Sequence, residues 1–158
     1  MRMEVFILQY EIQGAPFSVL VCKLNAGEAM KCQKGGMAWM SSNMKMQTSG
    51  GGLGKMLGKL VTGESMFYNT YSAEGGNGEI AFGMSFPGNI IAVDVSLRSV
   101  VAQKRAFMAC EPGVGNVVFG GEGLFNTVVN GPGKVWLQTM PVPALANSLI
   151  PYLPTNGK

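Results

Sequence analysis

Apolar and polar residues alternate over short runs rich in Val, Ile, Phe and Tyr along this chain, punctuated by glycines and prolines. Val5–Ile12 and Phe17–Leu24 set the pattern. The same period-2 reading gives strands over Ala29–Cys32, Met37–Met40, Asn43–Gln47, Ser65–Ser72, Gly78–Phe82 and Asn89–Val95. It continues over Val100–Ala102, Phe107–Cys110, Leu124–Val129 and Lys134–Gln138. Links such as Glu74-Gly75-Gly76-Asn77 and Asn130-Gly131-Pro132-Gly133 carry the residues of tight turns. An all-β, antiparallel fold follows.

Two stretches keep a different period. In Leu53–Val61 the apolar positions Leu53, Met56, Leu57, Leu60 and Val61 recur at helical spacing, with Lys55 and Lys59 between them. This predicts about two helical turns inside a glycine-rich insert, 50–62. Ala144–Leu149 predicts a short C-terminal helix that stops before Pro151.

The chain also echoes itself. CQKGGMA, starting at Cys32, aligns with AQKRAFM at Ala102, an offset of 70. Gly63-Glu64 aligns with Gly121-Glu122 at 58, and Gly78-Glu79-Ile80 with Gly133-Lys134-Val135 at 55. Order is kept while the offset shrinks, which places the deletions in loops. We therefore expect two pseudo-repeated antiparallel β-sandwich units packed face to face. The expected divisions are an N-terminal strand (1–10), a first unit (11–85), a second unit (86–140) and a C-terminal helix and tail (141–158). Neither unit buries enough alone, so the two should share one core.

Composition adds a surface problem. Of 158 residues, 47% are hydrophobic and only 13% charged, about half the usual charged share. So little charge predicts exposed apolar surface and self-association into homo-oligomers. The net charge of +3 is too mild to argue for nucleic acid. No apolar run is long enough to span a bilayer, and Glu4 and Glu11 interrupt any signal-like start, so a cytoplasmic location is expected. Cys22, Cys32 and Cys110 form no CxxC pair and read as buried reduced thiols. Histidine is absent, which removes His-based triads and imidazole zinc sites.

The strings GGMAWM, SGGGLGKMLGKLVTGESMFYNTYSA, GEIAF, FPGNIIAVDV, QKRAFMACEPG and FGGEGLF resemble the mitochondrial-biogenesis "altered inheritance of mitochondria" family, over about Tyr10 to Leu137. The resemblance implies a fold like that of the tryptophan RNA-binding attenuation protein, related to the double-stranded β-helix, and an oligomeric habit. It implies no reaction. One departure stands out: Val114–Val118, between the EPG and FGGEG blocks, is shorter than the resemblance implies.

Candidate chemistry is thin. The insert mimics a phosphate loop, but Ser49 and Leu53 stand where its first glycine belongs, and Met or Leu follows each lysine. Its residues Leu53, Lys55, Met56, Leu57, Lys59 and Leu60 are instead a candidate surface for a protein partner or a membrane, set against simple packing on the sheet. Met37, Met40, Met44 and Met46 could offer thioethers to Cu(I), but core filling is the commoner use. Glu64 and Glu122, at matching places in the two halves, could form an acid/base dyad. A structural role, with each carboxylate accepting backbone N–H groups at a turn, is the reading we adopt. Trp39, Tyr68 and Tyr71 with Lys31, Lys34, Lys104 and Arg105 are the only material for RNA, and the aromatics sit in strands where burial is the default. The expectation is a non-enzymatic oligomeric scaffold or binding protein without a cofactor or metal. An RNA-binding regulator and a membrane-surface organiser are the alternatives.

Overall fold

The structure, a computed structural model, describes residues 8–49, 68–84, 86–118 and 126–154. Strands β1 (Gln9–Gln13), β2 (Val19–Leu24), β3 (Ala29–Gln33), β4 (Met37–Met40), β5 (Met44–Ser49), β6 (Tyr68–Ala73) and β7 (Gly78–Gly83) form the first half. The second half holds β8 (Ile90–Asp94), β9 (Val100–Gln103), β10 (Phe107–Cys110), β11 (Gly115–Val118), β12 (Asn126–Asn130) and β13 (Lys134–Gln138). Helix α1 (Val142–Leu149) follows, with a 3₁₀ turn over Ile150–Tyr152. It begins two residues before the expected Ala144, because Pro143 is tolerated in a first turn whose N–H groups need no helical partner. The expected helix over Leu53–Val61 lies outside the described residues.

All ladders between these strands are antiparallel, in sheets ordered β1-β2-β7-β4, β5-β6-β3-β10-β13-β8 and β11-β12-β9. The order β2-β7-β4 returns as β8-β13-β10, and β5-β6-β3 returns as β11-β12-β9. Register returns with it. Cys22 faces Ile80 as Val93 faces Val135, and Met30 faces Tyr71 as Val100, on the matching strand β9, faces Val129 on β12. Even the irregularity is copied: the β4·β7 ladder shifts between Met37 and Trp39, and the β10·β13 ladder between Phe107 and Ala109. The matches of β3 with β9 and β4 with β10 fall at the offset of 70 found above, that of β6 with β12 at 58 and that of β7 with β13 at 55.

The halves join edge to edge rather than simply face to face. β3 pairs with β10, setting Cys32 opposite Ala109 and Lys31 opposite Cys110, and this merges strands of both halves into the six-stranded sheet. Among the described residues two apolar clusters result. The larger takes Leu20, Cys22, Met30, Tyr71 and Phe82 from the first half, and Ile90, Ala109 and Trp136 from the second. The smaller is built from the second half alone, around Val95, Phe107, Cys110, Val129 and Val135. Core is shared, but unequally.

Glycine spacing serves this packing. Gly75, at φ +70°, supplies the left-handed residue of the β6–β7 turn. Gly78 and Gly133 leave room for the side chains of Met44 and Val114, which fill matching places in the two halves.

Candidate functional site

Among the described residues, polar side chains converge on three surfaces. The first is the outward side of the four-stranded sheet. Alternation along β1, β2 and β7 turns Glu11, Lys23 and Glu79 to this side while Leu20, Cys22, Ile80 and Phe82 enter the core. Gln9, Glu11, Lys23, Trp39 and Glu79 line a groove of about 450 Å³. The Trp39 indole N–H donates to the Glu79 carboxylate at 3.4 Å, a long bond that orients the ring rather than holding it. Trp39 is 47% exposed. The expectation that it is buried by strand alternation is thereby corrected. Among the described residues β4 is the last strand of its sheet, with a neighbour on one flank only.

The second surface, a groove of about 620 Å³, lies where the turns after β2, β8, β10 and β12 meet, and includes Glu28, Asp94, Glu111 and Lys134. Its carboxylates are engaged locally. The Lys134 N–H donates to the Glu111 carboxylate at 2.7 Å and the Asn25 N–H to Glu28 at 2.7 Å. The Ser96 N–H donates to Asp94 at 2.8 Å, and the hydrogen bonds from Ser96 hold the Asp94 carboxyl below its ordinary range. Lys31 Nζ donates across the β3·β10 joint to the Pro112 carbonyl at 2.9 Å. These bonds fix turns, which is the role the sequence suggested for Glu64 and Glu122. Both of those residues lie outside the described residues, and Glu111 is the carboxylate that the sequence reading missed.

The third is a shallow groove of about 190 Å³ that brings Lys34 and Arg105 together with Gln33 and Gln138. The Gln138 amide donates to the Arg105 carbonyl at 2.7 Å, tying β13 to the turn after β9. Two of the four basic residues singled out in the sequence therefore share one surface. Tyr71 is buried in the core, as strand alternation requires.

The remaining candidates do not assemble. Leu53, Lys55, Met56, Leu57, Lys59 and Leu60 lie outside the described residues. Met44 is buried beneath Gly78 while Met46 is exposed, so the methionine run splits between core and surface. Cys22, Cys32 and Cys110 are free and buried, and burial first of all pushes each thiol up to about 12. They are protonated, poor nucleophiles at neutral pH. Among the described residues no three His, Cys, Asp or Glu side chains gather in a way that could hold a metal ion, and no helix is long and apolar enough to cross a membrane.

Comparison with known proteins agrees with the architecture. An uncharacterized protein of Streptococcus pyogenes serotype M6 is 30% identical over 137 residues, covering 75% of this chain and 55% of its own length. A Streptococcus pyogenes protein solved by crystallography superimposes with a TM-score of 0.70 at 25% identity, covering 85% of this chain and 65% of that one. The chain thus spans between half and two thirds of these relatives. The family model described as mitochondrial biogenesis AIM24 matches residues 10–140, and the chain belongs to that family.

Proposed function

We propose that this is a non-enzymatic β-protein that works as an oligomeric scaffold or binding protein, assembled from two copies of one sandwich unit per chain. The observation that carries the reading is the edge strand β4, whose sequence MAWM suits a sheet interior yet leaves Ala38, Trp39 and Met40 exposed. Exposed apolar edges are rare in lone subunits, because they invite pairing with another strand. Three free, buried cysteines without a disulfide fit a reducing compartment, and a cytoplasmic location is part of the proposal. Native mass spectrometry of protein taken from its own host tests this: several subunits per particle are expected. A single subunit at high concentration overturns the reading.

A second reading, an RNA-binding regulator, draws on the groove shared by Lys34 and Arg105. Retention on heparin that falls steeply with salt, and falls less steeply after Lys34→Ala with Arg105→Ala, would favour it.

A further inference from the structure

The register copied between the halves makes each strand comparable with its counterpart, and one comparison is unbalanced. In the joint between the halves, β3 pairs with β10. The counterpart of β3 is β9 and that of β10 is β4. Both counterparts are terminal strands of their sheets, unpaired on one flank among the described residues. All four residues of β10, FMAC, are buried, whereas Ala38, Trp39 and Met40 of β4 are exposed.

The two tryptophans of the chain sharpen the contrast. Trp136 faces Ala109 across the β10·β13 ladder, and at the matching place Trp39 faces Ala81 across β4·β7. The large ring has changed strands while the pair keeps its size. Trp136 is fully buried, because this side of the second half closes over the larger core cluster. The smaller cluster has no such cover among the described residues. Val100 and Leu137 are only half-buried there, although their counterparts Met30 and Phe82 are fully buried.

We propose that a second copy of this chain completes the pattern, with β4 of one subunit pairing antiparallel to β9 of the next. The β3·β10 register then sets Trp39 opposite Ala102 and Met40 opposite Val101. Trp39 closes over the neighbour's smaller cluster as Trp136 closes over the larger one. Val101, 64% exposed in the single chain, becomes covered. The contact is head-to-tail, so each subunit offers one β4 edge and one β9 edge, and repetition gives a closed ring or an open filament. This rests on the oligomeric reading above and assigns its interface.

Complementary edge variants test the inference. Trp39→Glu blocks the β4 edge and leaves β9 intact; Val101→Glu does the reverse. Each alone should reduce the particle mass to one subunit, with the far-UV spectrum of the wild type. Mixed at equal, high concentration, the two should form a 1:1 dimer and nothing larger, since only one competent edge remains on each. Met40→Lys replaces Trp39→Glu if that variant does not fold. Variants that keep the wild-type mass overturn this interface while sparing the oligomeric reading. So do single-subunit variants that fail to combine. A wild type that is one subunit at every concentration overturns both.

Discussion

The Lys134 backbone N–H donates to the Glu111 carboxylate at 2.7 Å, and one half earlier the Glu79 N–H donates to Ser41 Oγ at the same distance. The turns beneath are equally matched, with Met44 N–H donating to the Ser41 carbonyl and Val114 N–H to that of Glu111. A side chain at this place ties the turn after β4 or β10 to the first residues of β7 or β13. Glu111→Ala should therefore cost about 1.5 kcal/mol, the low end for a bond to a charged group because the site is half-exposed. Ser41→Ala should cost about 1 kcal/mol, and Glu111→Gln less than Glu111→Ala because the amide oxygen still accepts. Urea denaturation of the three variants checks the order.

Gly131 and Gly76 occupy the two matching hairpin turns but should respond oppositely to alanine. A Cβ on Gly131 would collide with the Val95 carbonyl and the adjoining Ser96 backbone, which cannot swing away as a side chain can. One on Gly76 meets nothing within 4 Å, and its φ is not in the left-handed region. Gly131→Ala should lose about 1–3 kcal/mol by overpacking. Gly76→Ala should gain up to about 1 kcal/mol by restricting the unfolded chain. Equal thermal midpoints for the two variants would contradict this.

Alkali should unfold the protein through its thiols. Cys22, Cys32 and Cys110 are raised from 9.0 to about 12, and burial also raises Tyr71. Between these values the unfolded chain has lost protons that the folded chain keeps. Stability is thus fully present below pH 9 and falls as pH climbs toward 12, by at most about 1.4 kcal/mol per pH unit for each thiol. Urea midpoints measured from pH 8 to pH 10.5 should decline, and less steeply in Cys110→Ala. An identical slope in that variant would remove the thiols from the explanation.

Strands were the readable part of this sequence, because alternation and glycine turns are local signals. The offsets of 70 and 55 between the halves reappear as matched registers. β11 escaped notice: GNVV has too few residues to show a period, and it is a strand only because β12 lies beside it. Burial was legible where a strand is central, as at Tyr71, and misread at Trp39, since nothing in MAWM reveals that among the described residues its sheet ends there. The clue was one residue beyond the echo: extending it sets Trp39 against Ala109, and Ala81 against Trp136. Glu111 was missed for a related reason, as its partner Lys134 is remote in sequence and its counterpart in the first half is a serine.

The two tryptophans should separate folding from association. Trp136 is fully buried, stacks edge-on with Tyr10 at a centroid distance of 5.1 Å, and among the described residues its indole N–H has no hydrogen-bond partner. Its contribution is therefore volume and apolar area, reduced by one unsatisfied donor. Trp136→Ala should destabilise the fold by about 3–5 kcal/mol. Trp136→Phe should cost much less, since it keeps a ring for Tyr10 to meet and removes the orphaned donor. Trp39 stands half in solvent at a sheet edge, so Trp39→Ala should change the stability of a separated subunit by less than about 1 kcal/mol. Denaturation at a dilution where only single subunits are present makes the comparison clean. A Trp39→Ala loss as large as that of Trp136→Ala would mean that its ring is already covered within one chain, and the open edge would no longer explain its exposure.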